Sequence, residues 1–355
     1  MNPGESSSSS SSSRSLMPQM PSMEIKERIE FRGLAMRCGT RDSTRTGRKV
    51  IDWEDARDKL ATLGMVVVPG VVRDPALKRK GIFQVMEQLT AETDIRFKTG
   101  DTGTWQGWDR VMPEKVQMAG HAQALWDIRQ DPRVVGCFAH MMRCSKSDLL
   151  SNYDGFSVVL PHEVTGREQV TEPGFRVCGE GPDKSVQGLV NLKDVAPGDS
   201  TFRCILGSHL FEKAFAKEFP KARRGDVLTH QQVAWYESLE ERLVTVSVLM
   251  EAGDVLIWDP RLVHCRAPAR KWRAKMNLRV WAHLSMVPRH ASPPDRIRRK
   301  RKFFEELQMT TEKHHKVARR RKEGTAQPAL EKMETVAKSF PRPELTHLGL
   351  HLSGH

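Results

Sequence analysis

The sequence predicts an α+β protein with a mainly β core, an antiparallel sandwich or barrel, flanked by N-terminal helices and followed by a basic helical C-terminal extension. Three observations predict it. Apolar residues recur at helical spacing from Trp53 to about residue 142. From Asp148 the apolar period changes to two, the period of a half-buried strand. From there on, short apolar runs are cut repeatedly by Gly and Pro, the punctuation of a many-stranded antiparallel core.

The elements follow in order. Residues 1–22 hold eight consecutive serines, Ser6 to Ser13, and have no face to bury, which predicts disorder. Residues 23–50 are charged and weakly patterned, as in a linker. Trp53, Ala56, Leu60 and Leu63 share a helical face that Gly64 ends. Met65 to Val68 read as a short buried strand closed by Pro69-Gly70. Asp74-Pro75 opens a helix through about residue 92, with proline at the tolerated first position. A loop over 100–113 carries Trp105 and Trp108, and helices are expected over 114–129 and 132–142. Strands are expected at 148–152, 155–160, 174–178, 185–193, 202–206, 242–250, 253–258 and 275–286, with a polar, partly helical insertion over 207–241. Ser292-Pro-Pro-Asp295 starts a further helix to about Leu307. The chain thus divides into a Ser-rich and charged segment (1–50), a central domain (51–290) and a basic helical extension (291–355).

Charge is uneven. Lys and Arg number 57 against 44 acids, a net +13, and residues 289–322 alone hold thirteen basic residues against four acids. Arg298 to Lys302 and Arg319 to Lys322 are therefore candidates for a polyanion-binding or nuclear-localisation patch, or for a plain solvated helix face. No aromatic residues interleave with the second cluster, which speaks against stacking on single strands. Six cysteines without a CxxC pair argue against a structural zinc site and a disulfide scaffold, and fit a reducing compartment. No apolar run is long enough to cross a membrane, and the N-terminus has no apolar signal-peptide core. A cytoplasmic or nuclear location is expected. Organellar import stays open, because the first fifty residues are rich in Ser and Arg yet contain five acids.

Chemistry concentrates in two stretches. Gly253-Asp-Val-Leu-Ile-Trp-Asp-Pro-Arg-Leu-Val-His264 reads as a turn, a strand and a histidine at its exit. Upstream stand Ser185-Val-Gln-Gly-Leu-Val-Asn-Leu192 and Leu206-Gly-Ser-His209. Together these resemble the second half of the double-stranded β-helix, a jelly-roll or cupin-like fold, of the phytanoyl-CoA dioxygenase family of Fe(II)/2-oxoglutarate oxygenases. The resemblance spans roughly residues 52–310 and is specific at 185–209 and 253–289. It implies iron held by two histidines and one carboxylate on one face, leaving positions for 2-oxoglutarate and dioxygen. A His-x-Asp pair suits this, since strand residues two apart point to the same side. By the resemblance His264 occupies the distal histidine position; taken alone it would read as a strand-end histidine with a satisfied hydrogen bond. A basic residue further on is expected to grip the far carboxylate of 2-oxoglutarate, for which arginine suits by its fork geometry. Arg279, in Asn277-Leu-Arg-Val-Trp281, is preferred over Arg273, and a solvated edge arginine is the plain reading of either. His209 is expected to be structural.

The departure is at Gly174-Phe-Arg-Val-Cys178, which stands where the resemblance implies His-x-Asp. Arginine stays protonated and cannot ligate iron. Cys178 could bind a soft metal as thiolate, which is the wrong chemistry for this triad. Cys178-Gly-Glu180 keeps the two-residue spacing and adds a carboxylate, so Glu180 is a substitute ligand candidate; His162-Glu163 is a weaker one, because adjacent strand residues diverge. His314-His315 diverge on a helix and read as surface, and Asp194, Asp199 and Asp226 read as turn acids. Three readings follow: a catalytically impaired relative, a pseudoenzyme, whose Arg176 binds a small organic acid inside the barrel, with Arg279 as its partner; an active hydroxylase using Glu180; or an interaction protein whose basic tail (296–322) binds nucleic acid or another polyanion.

Overall fold

The computed structural model describes residues 36–42, 49–111, 115–166, 174–177, 185–223, 225–239, 243–310 and 328–355. Order starts earlier than the linker expected over 23–50. Strand β1 (Thr40–Asp42) pairs with β2 (Lys49–Ile51), and Arg37 bridges Val67 in parallel. Helix α1 (Trp53–Leu63) begins at Asp52, whose carboxylate accepts the Glu54 and Asp55 N–H groups, and stops at Gly64 in the left-handed conformation. Strand β3 (Met65–Val68) and helix α2 (Pro75–Thr90) follow as the sequence predicts.

Two expectations fail between residues 100 and 129. The loop contains a helix, α3 (Trp105–Val111), which buries both Trp105 and Trp108. The helix expected over 114–129 is split into β4 (Lys115–Val116) and α4 (Gln123–Arg129). The chain passes so close to Gly155 at this point that a Cβ there would overlap the Val116 carbonyl. Helix α5 (Pro132–Met142) is capped by the Asp131 carboxylate.

The core strands are β5 (Leu149–Ser151), β6 (Phe156–Val159), β7 (Val186–Asn191), β8 (Thr201–Ile205), β9 (Thr245–Ser247), β10 (Val255–Trp258), β11 (His264–Ala267) and β12 (Arg279–Pro288). Between β6 and β7 lies one helical turn, α6 (His162–Thr165), so His162 and Glu163 are not strand residues. The 207–241 insertion contributes α7 (Glu212–Glu218) and α8 (His230–Leu239).

A large antiparallel sheet runs β3-β10-β7-β12-β6-β4, with β5 also on β12; a small one runs β11-β8-β9. Arg176 joins the small sheet by an isolated antiparallel bridge to His264. Val66, Val68, Val190, Ile257, Val280 and Leu284 face outward from the large sheet and pack with Val134 and Phe138 of α5. Met65, Val67, Leu189, Leu256 and Trp281 face the other way, against Phe202, Cys204, Val246 and Val248 of the small sheet. The large sheet is thus covered on both faces, which is why β10 reads as an uninterrupted apolar run. The core is a sandwich. Among the described residues no strand of one sheet hydrogen-bonds to a strand of the other, so the barrel the sequence suggested does not close.

The C-terminal segment is built into this body. Helix α9 (Pro294–Glu305) buries Lys300, Phe303 and Phe304, and leaves Arg296, Arg298, Arg299, Arg301 and Lys302 outward. Phe304 packs with Trp126 and Tyr153. Helix α10 (Pro328–Lys338) and helix α11 (His347–Ser353) bury Leu330, Met333 and Leu352 in the main core. The first basic cluster is therefore not a uniform solvated face, because Lys300 is interior. The second, Arg319 to Lys322, lies outside the described residues, as do His314 and His315.

Candidate functional site

A cavity of about 300 Å³ opens between the two sheets. The sequence places His264 there by two devices. Asp259 accepts the Arg261 N–H at 2.8 Å and pairs with the Arg261 guanidinium, turning the chain after β10. Ser208 Oγ then accepts the Val263 N–H at 2.9 Å and fixes the start of β11. The motif's own Asp254 does not reach the cavity. It is fully buried as a staple, accepting from Gly70 N at 3.0 Å and Glu251 N at 2.8 Å and pairing with Arg37. His209 holds α1 through Ala61 O at 3.0 Å, a structural role.

His264 and Arg176 exchange both main-chain hydrogen bonds, Arg176 N–H to His264 O at 2.9 Å and His264 N–H to Arg176 O at 3.1 Å. Residues paired this way project side chains from the same face. The alternation is visible on the other side, where Phe175, Val177 and Val263 join a separate apolar cluster. Both Arg176 and His264 line the cavity. Arg176 Nη1 donates to Gly225 O at 2.8 Å. His264 Nδ1 lies 2.8 Å from Leu262 O, a carbonyl that can only accept, so Nδ1 carries the proton and Nε2 is bare. Its ring stacks on Phe202, centroids 5.3 Å apart, and meets Trp258 at 5.4 Å. Burial pushes its pKa down to about 4, opposed by the Leu262 carbonyl and assisted by the Arg176 charge.

Among the described residues the expected donor set for iron is not met around His264. A bare imidazole nitrogen is present, but its paired neighbour is a permanent cation and its ring neighbours are aromatic. Among the described residues no three His, Cys, Asp or Glu side chains gather to hold a metal. Cys178 and Glu180 lie outside the described residues. His162 and Glu163 do not line the cavity, and Glu163 is taken up by Arg273.

The two candidate arginines differ sharply. Arg273 is committed: Nε donates to Glu163 Oε1 at 3.2 Å, Nη2 pairs with Glu163 Oε2, and Nη1 stands 3.7 Å from Asp199 Oδ1. The hydrogen bond from Arg273 holds the Glu163 carboxyl below its usual range. Arg279 is buried, gives Nη1 to Asn191 Oδ1 at 2.7 Å and Lys193 O at 2.9 Å, and has no hydrogen-bond partner for Nε and Nη2 among the described residues. Burial lowers its pKa to about 9. The Trp281 ring covers its guanidinium, 5.0 Å from the centroid. Neither arginine lines the cavity.

The wall carries residues that the sequence reading did not select. Lys115 pairs with Asp154 at 2.6 Å. Ser157 Oγ lies 2.7 Å from His283 Nε2, which also accepts the Trp281 indole N–H at 3.0 Å. Asn152 and Gln187 complete the polar lining on the large-sheet side. A signal existed for His283: Arg279, Trp281, His283 and Ser285 alternate along β12 with apolar residues, so they share the inner face.

Residues 99–269 match the phytanoyl-CoA dioxygenase family. The matched stretch runs from the loop before α3 to the end of β11, and contains both Arg176 and His264. Among solved structures the chain is similar to AviO1 from Streptomyces viridochromogenes Tue57 at 16% identity, covering 69% of this chain and 98% of that one, with a TM-score of 0.45. It is similar to the epimerase SnoN in complex with Fe3+, alpha ketoglutarate and nogalamycin RO at 16% identity, covering 66% and 83%, with a TM-score of 0.44. It is similar to HygX from Streptomyces hygroscopicus with nickel and 2-oxoglutarate bound at 14% identity, covering 66% and 86%, with a TM-score of 0.40. No curated protein matches by sequence. No helix of the described residues is long and apolar enough to cross a membrane.

Proposed function

We propose that this chain is a phytanoyl-CoA dioxygenase-type double-stranded β-helix that binds a small organic acid between its sheets and does not turn it over through iron. The β-helix reading is supported by strand order. The large sheet holds β6-β12-β7-β10 and the small one 174–177, β11, β8 and β9, so from β6 to β12 the chain switches sheets at every step except the β8–β9 pair, as in a jelly roll.

The observation that carries the functional reading is the Arg176–His264 main-chain pair, which sets a guanidinium on the face where the family's first ligand would stand. A cation there repels a divalent ion and attracts a carboxylate. Two reactions test it. With Fe(II), 2-oxoglutarate, ascorbate and oxygen, succinate release stays at background. Calorimetry with succinate or 2-oxoglutarate shows binding that Arg176→Gln weakens. Succinate release that is lost in both His264→Ala and Glu180→Gln would instead establish the hydroxylase with a substitute ligand.

A further inference from the structure

We infer that the acid's oxygens are held by a shelf of neutral donors, Asn152, Gln187 and His283, each locked in donor orientation by a second residue. This rests on the acid-binding reading above and specifies how the ligand's charged end is recognised.

The argument is one of hydrogen-bond polarity. The Trp258 indole N–H donates to Gln187 Oε1 at 2.9 Å. The Ser285 main-chain N–H donates to Asn152 Oδ1 at 3.0 Å. The Trp281 indole N–H donates to His283 Nε2 at 3.0 Å. An indole or main-chain N–H can only donate. Each contact therefore fixes which end of the side chain is consumed, and in each case it is the acceptor. What remains to be offered is the Gln187 amide NH2, the Asn152 amide NH2 and the His283 Nδ1–H. All three residues line the cavity. Gln187 and His283 lie on neighbouring strands, with Gln187 opposite Ser285 and His283 opposite Leu189 in the β7–β12 register, and Asn152, just past the end of β5, is tied to the same Ser285.

The rest of the wall agrees. Among the described residues its one carboxylate is Asp154, which is neutralised by Lys115 at 2.6 Å and accepts the Gly155 N–H at 2.8 Å. Burial pushes the His283 pKa down to about 3, so the ring stays neutral and its Nδ1–H stays a donor at ordinary pH. An amine or a hydrogen-bond-donating amide meets like polarity on this wall. A carboxylate presents only acceptors, and matches it.

The test uses the full chain and isosteric changes. Gln187→Glu keeps one oxygen for Trp258 and turns the other, now charged, to the cavity; Asn152→Asp does the same beside Ser285. Trp258→Phe removes the lock on Gln187 without adding charge, and covers the case in which a buried new carboxylate prevents folding. Calorimetric titration with succinate is expected to show wild-type binding, a loss of at least about tenfold in each variant, and no binding of succinamide. If the three variants bind succinate as wild type does while Arg176→Gln weakens it, the shelf is wrong and the acid-binding reading survives. Equal binding of succinamide also removes the shelf. If wild type binds neither succinate nor 2-oxoglutarate, both fall.

Discussion

Two regions of this protein hold cations without a carboxylate partner, one buried under α9 and one exposed at the cavity between the sheets, and they handle them in opposite ways. Beneath α9, Lys300 sits over the Tyr153 ring, Nζ 3.7 Å from its centroid, and bonds the Ser151 carbonyl. Nearby, Arg129 donates to the carbonyls of Gly120 at 3.1 Å and Asp154 at 2.8 Å, with its guanidinium over Trp126. Main-chain dipoles and ring faces close around both charges. Between the sheets, Arg176 has one carbonyl, that of Gly225, and faces the cavity beside His264. The first arrangement is what a structural cation looks like; the second leaves donors pointing at the place a ligand would take. The difference separates packing from recognition without reference to any family.

The comparison sharpens most if a metal can be installed in one region by side chains alone. Arg176→His with Cys178→Asp restores the His-x-Asp spacing in the sequence, with the new histidine on the rung opposite His264. Calorimetry is expected to go from no stoichiometric Ni(II) uptake to a dissociation constant near about 1 μM, roughly 8 kcal/mol. Persistent failure to bind would mean that more than these two side chains bars the ion. In the other region, Phe304→Ala opens the aromatic seat of α9 and should cost about 3–5 kcal/mol in denaturant unfolding. Succinate affinity should not follow it; if it does, the two regions are coupled and the separation fails.

Lys300→Met is the next smaller effect. Burial depresses the Lys300 pKa well below its usual value, so the unfolded chain binds the extra proton and the native lysine is a liability below about pH 10. Replacement is expected to raise stability by about 1–4 kcal/mol at pH 7, with the gain shrinking toward pH 10. A loss of stability at pH 7 would show that the Tyr153 and Ser151 contacts outweigh desolvation. Burial also lowers the pKa of His264 to about 4, and of His283 and His121 to about 3. All three are depressed, so their contribution to stability is flat above about pH 6.5 and falls as pH drops from there toward 4, on the order of 1 kcal/mol per pH unit per ring. The smallest expected change is in Arg176→Gln, where removing the neighbouring charge moves the His264 titration upward in an NMR pH series while thermal stability stays within about 0.5 kcal/mol. An unmoved His264 titration would argue against their proximity.

How much of this was legible in the chain differs by element. Helices with explicit stops, such as Trp53–Leu63 ending at Gly64, were readable because the signal is local. So was the strand of Val255–Trp258, an unbroken apolar run. The break at residues 115–122 was not, since it depends on Gly155 meeting a carbonyl some forty residues away. In the site, His264 and the mismatch at Arg176 could be named from motif position alone. The donor shelf could not. Gln187 acquires its orientation from Trp258, 71 residues distant, and Asn152 from Ser285, 133 residues distant. Nothing near either amide in sequence says which end will be consumed.

The Arg176–His264 ladder has a practical corollary. Its two rungs are amide groups, which every residue except proline supplies, so the wall's position is indifferent to what projects from residue 176. Scaffold and contents can be varied separately here. A saturation library at Arg176, screened for retained folding against a panel of acids, amines and metal ions, would map which occupants the unchanged β-framework can accept.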